Sequence, residues 1–470
     1  MKRKFMGITA FVLALMILMT GCSDGKKDDA PTDGSVPDVT DEMQNAAFWT
    51  AKYKDAQNVI MDSAAIDKLN KTITADSSSG VVDLVAYPSQ ITAAQVKAYL
   101  SAFSMPNKEL FDREGIVYSQ EFLDTIIASV NLDGILESNK VSYALTLANT
   151  DLKKFPTISR GFTSMDDLGN DSFQQGRLSI GEPVVVLHTN LEQDWYFVQS
   201  YNDRGWVEMD KLVFMEKGSW VNYINSENFL IVTGDNVVLD RDPYAADTTV
   251  LTLSMGTKLP LYEDAIIGNT ISGQGIASSY IVKIPSKDRF GQLEFIPLAI
   301  PKSSDVSIGY LPYTSENVIK QSFKLLGRRY GYNNLYGNRD NDEFVSDIYK
   351  TFGIIMPNTI DKQSKIAASD IDLKSLTAEE RAKKIAELTP GTLMFTDENA
   401  FIYLGQHDDK PFIIYPATTF YFNSQMYTAN TVLVTGMSVV RRDGTAFADA
   451  VNTAKLLEVV KNSEEKTEEK

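Results

Sequence analysis

The stretch Leu325–Gly353, LLGRRYGYNNLYGNRDNDEFVSDIYKTFG, constrains this chain more than any other. It reads as the end of one helix, a Gly/Asn-rich loop and a second helix. In that second helix Phe344, Ile348 and Phe352 recur at i, i+4 and i+8, with Val345 and Tyr349 beside them, giving one apolar stripe. Gly353 follows the last periodic residue, where a glycine ends a helix. The loop therefore hands Arg339, Asp340 and Asn341 to a helix N-terminus, where free N–H groups and partial positive charge gather. A nucleophile placed there would have its pKa lowered, and an anion would be held.

With 470 residues, 43% of them hydrophobic, the chain is long enough for two to four domains. A net charge of −17 argues against nucleic acid and against electrostatic docking on anionic lipid. Cys22 is the sole cysteine, and His188 and His407 are the sole histidines. That excludes a disulfide within one chain and leaves no set for a Cys/His metal site, so neither a metal nor a cofactor is expected.

The N-terminus carries an address. Lys2, Arg3 and Lys4 precede an apolar run, Phe5–Met19, too short for a membrane span. Leu18-Met19-Thr20-Gly21-Cys22 then resembles a bacterial lipobox, so Cys22 is expected to be lipidated and the chain to be extracytoplasmic and membrane-anchored. Residues 23–40, rich in Asp, Lys, Gly and Pro, read as a disordered tether. From 41 to 150 the spacing is mainly helical, over Ala46–Val59, Ser63–Ile73, Thr92–Phe103 with Thr92 as N-cap, and Gln120–Val130. Short β-rich runs follow, Val184–Leu187, Trp195–Gln199 and Gly205–Val207, and mark a small barrel over 151–216. Similar runs over 217–313, closed by Gly309–Leu311, mark a second. Trp195, Tyr196 and Tyr201 are candidates for an aromatic peptide groove on the first barrel. A compact α+β domain spans 314–445, and 446–470 reads as a polar tail. The fold class is α+β multidomain.

The segments LLGRRYGYNN, RDNDEF, FGIIMPNTIDKQ, PGTLMFTDENAFIYLG and FIIY keep the order and spacing of the NlpC-type papain-like cell-wall endopeptidases. They resemble most the branch with an N-terminal clamp domain and two bacterial SH3 domains. The resemblance implies a helical clamp at 41–150, SH3-like barrels at 151–216 and 217–313, and a papain-like domain at 314–445. It puts the catalytic Cys on Asn341, the catalytic His on Asn399 and the third polar position on Tyr415. The loop's glycine pair has become Asn333-Asn334. Asp340 matches the residue that, in the related enzymes, holds the free amine of a wall-derived stem peptide. Tyr330 and Tyr332 would form an aromatic wall beside it.

A papain-like site needs a thiolate paired with an imidazole. Asn341 is no nucleophile at neutral pH, and Asn399 cannot shuttle a proton. His407 follows Asn399 by eight residues, and His188 belongs to the first barrel. Ser346 has no histidine partner; Asp340, Asp342, Glu343, Asp397 and Glu398 supply carboxylates, but the three at the helix N-terminus suit dipole complementation better than catalysis. The expected function is therefore a catalytically degenerate, cell-wall-associated binding protein whose partner is a peptidoglycan stem peptide or a wall enzyme. The alternative is an active γ-D-glutamyl-diamino acid endopeptidase with an unorthodox site.

Overall fold

The computed structural model describes residues 36–242, 251–262 and 268–458. The signal segment, Cys22, the tether up to residue 35 and the last part of the tail, 459–470, lie outside the described residues. No helix among the described residues is long and apolar enough to cross a membrane.

The C-terminal half is built on a central helix, Asn341–Lys350, that buries Phe344, Val345, Ile348 and Tyr349. It packs on a six-stranded antiparallel sheet whose spatial order is Ser369–Asp372, Thr453–Leu456, Leu393–Phe395, Ala400–His407, Lys410–Phe422 and Gln425–Gly436. Side chains alternate across a strand, so the sheet has two buried faces. Ala400, Ile402, Leu404, Ile414, Val432 and Val434 share a core with the central helix and with Val318 and Ile319 of the helix Ser315–Lys324. Met394, Phe401, Tyr403, Ile413 and Tyr415 share another with Ile385 of the helix Ala378–Ala386 and with Phe447.

The domain does not stop at 445. Phe447–Ala450 is a helical turn and Thr453–Leu456 is a strand inside the sheet, between Ser369–Asp372 and Leu393–Phe395. Val451, Ala454 and Leu457 are buried there. The charged end of the chain masks this short apolar run in the sequence.

The first barrel also begins earlier than 151. Its seven-stranded sheet runs Leu212–Met215, Ser142–Thr146, Pro183–Thr189, Trp195–Gln199, Arg204–Glu208, Thr150–Lys153 and Gln174–Leu178. Ser142–Thr146 belongs to it because Tyr143 and Leu145 enter one core and Ala144 the other. In the second barrel Phe229–Val232 pairs with Lys258–Pro260 and Val306–Ile308, and a long hairpin joins Ser279–Lys287 to Leu293–Pro301. Its last strand ends at Ile308, ahead of the expected Gly309–Leu311, because Gly309 takes φ 68°.

The region 41–150 has no core of its own. Met43, Trp49, Met61, Ile66, Leu69 and Ile73 pack into the papain-like domain, whereas Leu84, Ile91, Val96, Leu100 and Ile126 pack with the first barrel. Even the end of the tether is docked, with Val36 and Val39 packed against cores and Asp38 paired to Lys410 at 3.0 Å. The helix expected over Ala46–Val59 stops at Thr50, and Val59–Met61 instead forms a strand against Tyr313–Thr314. Trp49 sets this docking. It is fully buried, its Nε1 donates to the Met43 carbonyl at 2.8 Å, and its ring lies 5.3 Å from Phe412. Trp49→Ala is expected to destabilise the protein by about 3–5 kcal/mol and to expose 36–61 to limited proteolysis, checked by urea denaturation and mapping of the first cleavage site.

Candidate active site

The loop before the central helix is closed on itself. Gly331 N–H donates to the Arg339 carbonyl at 3.1 Å, and a Cβ on Gly331 would lie 2.5 Å from Asn338 Cβ, so only glycine fits. Asn333, Asn334 and Tyr336 take φ of 51°, 57° and 59°. Asparagine tolerates this left-handed region through its short polar side chain, so the Asn-Asn pair holds a turn that glycines could also hold. Asn333 Nδ2 donates to the Gln174 carbonyl of the first barrel at 3.3 Å, and the Arg160 guanidinium stacks 4.4 Å from the Tyr336 ring centre. The loop thus leans on the barrel.

Asp340 is the N-cap of the central helix. One carboxylate oxygen accepts from Glu343 N–H at 3.2 Å and the other from Asn333 N–H at 2.9 Å. It joins helix and loop, a role its alignment with an amine-binding residue does not suggest. Tyr330 and Tyr332 stand edge to face at 4.9 Å, both half-buried, and the Asp340 charge helps to raise the pKa of each beyond burial alone. The expected aromatic wall and carboxylate are therefore close neighbours.

Asn341 occupies the first turn, buried, and its Oδ1 has no hydrogen-bond partner among the described residues. Below it Gln363, fully buried, donates to the carbonyls of Asp342 at 3.0 Å and Pro357 at 2.9 Å, clamping the helix start. Sequence reasoning passed over Gln363, although a lone glutamine closing FGIIMPNTIDKQ was a visible signal. Ser346 is buried, with Gln363 Nε2 3.4 Å from its Oγ and no imidazole beside it.

The three aligned positions do not share one floor. Asn399 lies in the tight turn before Ala400–His407, with its N–H donating to Thr396 Oγ1 at 2.9 Å. Tyr415 points to the face away from the central helix, against Phe401 and Phe447 with ring centres 6.1 and 5.1 Å away. Its neighbour Ile414 faces the helix side. Strand alternation makes the difference: a one-residue offset reverses the face. Tyr415 is thus a core residue of the second face, not a third site position. No hydrogen bond joins Asn341, Asn399 and Tyr415 among the described residues.

Both histidines are elsewhere. His188 Nε2 lies 3.0 and 3.2 Å from the Asn131 and Val130 carbonyls, and burial lowers its pKa, so it sits neutral and donates. His407 is the last residue of the strand Ala400–His407, and its Nδ1 meets Lys52 Nζ at 2.9 Å. Eight residues of strand separate it from Asn399 by roughly 26 Å. Asp397 and Glu398 are exposed, with Asp397 accepting from Asn452 and Glu398 near Arg441. Trp195, offered as a groove residue, is buried in the barrel core, and Tyr196 is half-buried, with its ring 5.2 Å from that of Phe214. No group of histidine, cysteine and acidic side chains among the described residues could hold a metal ion.

An SH3 domain model of the SH3b1 type matches residues 160–208. The solved structure of a novel NlpC/P60 endopeptidase from Photobacterium damselae subsp. piscicida superposes with a TM-score of 0.67 at 15% identity, over 86% of this chain and 95% of that one. The chain has the fold of an SH3-bearing NlpC/P60 endopeptidase. Two further NlpC/P60-type structures, NlpC2 and NlpC1 from Trichomonas vaginalis, each match at 13% identity with a TM-score of 0.27 over 68% of this chain and cover 99% and 94% of their own. At that score they carry no argument about this fold. A search of the curated proteins found no match.

The start of the central helix holds acids in unusual states. Burial, then the neighbouring Asp340 carboxylate, pushes the Asp342 carboxyl up to about 8. Burial, then Asp347, holds Glu343 well above the carboxylate range. Burial raises Asp340 too, although the Asn333 and Glu343 N–H groups favour its ionised form. In these groups the folded protein holds protons that the unfolded chain releases near pH 4, so their contribution to stability is fully present below that pH and is lost as pH rises toward 8. The melting temperature of Asp342→Asn is expected to fall less steeply between pH 5 and pH 8 than that of the parent; scanning calorimetry at several pH values checks this.

Proposed function

We propose that this protein is lipid-anchored through Cys22, faces the cell wall, and binds wall-derived stem peptides without cleaving them. The bacterial SH3 match and the NlpC/P60-type fold support a cell-wall-associated, peptidase-like protein. The observation that carries the non-cleaving part is at the helix N-terminus. Asn341 starts the central helix at the position to which the family resemblance assigns the nucleophile, and both imidazoles of the chain are held elsewhere, on backbone carbonyls and against Lys52. Without thiolate and imidazole, a papain-like acyl transfer loses nucleophile, base and acid together.

Recognition can outlast the chemistry. Each Asp340 oxygen accepts one N–H and keeps a second lone pair, so the cap can also receive an ammonium. Tyr330 and Tyr332 supply the aromatic side of such a pocket. Calorimetry with a free-amine L-Ala-γ-D-Glu-diamino acid peptide is expected to show binding with no new product by mass spectrometry. Asp340→Asn, which retains a capping oxygen, and Tyr332→Leu are each expected to weaken binding at least fivefold. Cleavage of the peptide would instead establish the endopeptidase reading, and no binding by the parent would remove the ligand.

The anchor has its own test. Cells fed an alkyne-tagged fatty acid should label the parent protein, and Cys22→Ser should carry no label while still being made.

A further inference from the structure

The first barrel, the helix Lys217–Ile224, the second barrel and the C-terminal end of the central helix meet around a cavity of about 270 Å³. It lies about 14 Å along the central helix from Asn341, apart from the loop discussed above. Three hydroxyls on its wall, Tyr201 Oη, Tyr223 Oη and Thr257 Oγ1, are buried and have no hydrogen-bond partner among the described residues. Thr257 is 2% exposed. Buried polar groups are ordinarily paired, and three unpaired ones on a single cavity wall are an excess that calls for an explanation.

A cation joins them. Lys350 reaches the wall, and its nearest carboxylate, Asp347, is 3.5 Å away and already engaged by Arg339 at 2.7 Å. The one acid on the wall, Glu182, accepts from Ser179 N–H at 3.0 Å, and burial, opposed by Lys350, raises its pKa. Gly181 allows the close approach of Tyr223, whose Oη would be 2.6 Å from a Cβ there. Lys258 also lines the wall, with its Nζ donating to the Ile224 carbonyl at 3.0 Å, and the apolar part includes Ile180, Ile231, Pro260 and Ile354. Two ammoniums and three hydroxyls thus stand against one carboxyl group, facing an apolar body. Scaled from the roughly 150 Å³ cavity that admits benzene, the space holds roughly a dozen non-hydrogen atoms.

We propose that this cavity binds a compact organic monocarboxylate with an apolar body, its carboxylate taken by the Lys350 ammonium and the hydroxyls of Tyr201, Tyr223 and Thr257. Such a ligand touches both barrels and the papain-like domain, so it stabilises their arrangement by mass action.

The test uses the full chain with phenylacetate and 4-methylpentanoate, each set against its primary amide. In thermal melts and calorimetry the acids are expected to bind and to raise the melting temperature by a few degrees at millimolar concentration, and the amides are not. The double variant Tyr201→Phe/Thr257→Val removes hydroxyls with no partner among the described residues, so its own melting temperature should stay equal or rise. Its affinity for the acids should fall at least fivefold. Equal binding of acid and amide overturns the anion site, binding undiminished in the double variant overturns the role of the hydroxyls, and no binding of either acid overturns the proposal.

Discussion

Arg339 is the residue on which the arrangement depends. It is buried, with its guanidinium 2.5 Å from Asp235 of the second barrel and 2.7 Å from Asp347 of the central helix. Arg328 adds a second cation on Asp235 at 2.7 Å. Buried ion pairs gain little net stability over apolar packing, but removing one partner leaves an uncompensated charge in a poor solvent. The bridge therefore specifies which surfaces may meet. Because Arg339 precedes Asp340, the same turn of backbone that joins barrel to helix also aims the cap at the loop.

From that junction the cores are shared across modules. The segment 41–75 completes the papain-like core and 84–130 completes that of the first barrel, so the N-terminal region fastens one to the other. Asn202 of the barrel donates to the Met356 carbonyl at 3.1 Å, and Gln321 of the papain-like domain to the Thr233 carbonyl at 2.9 Å. Domain motion, the default where interfaces are small and polar, is opposed here by buried charge and by helices that serve two masters. The loop over the central helix is held from three sides, by Asp340, by Gln174 and by Arg160. Such a loop presents a fixed shape to a ligand.

Much of the local structure was legible. Thr92 caps its helix with a full capping box to Gln95, and the strand Trp195–Gln199 lies where its β-rich run puts it. These features rest on contacts within a few residues, which a sequence states directly. Tyr415 was read from spacing along a family pattern, but its face is set by which core its strand covers. The strand Thr453–Leu456 was hidden because its strand partners lie 58 and more residues away, and because its Lys455 is buried only by virtue of bonds to the Ile366 carbonyl and Asp370. Alternation of so few residues beside a charged tail does not announce a central strand.

What the chain determined alone is its chemistry. With Cys22 its sole cysteine and asparagine at both 341 and 399, the chain has no thiol on the central helix and no imidazole at the position aligned with the catalytic histidine. The left-handed loop, its asparagines and the Asp340 cap were equally inherent, because they need only neighbouring backbone. Tertiary structure decided the rest: which face Tyr415 turns to, that Arg339 bridges two carboxylates from distant segments, and that hydroxyls from both barrels, unpaired among the described residues, line one cavity. Those are products of long-range packing, in which residues far apart in sequence become each other's solvent.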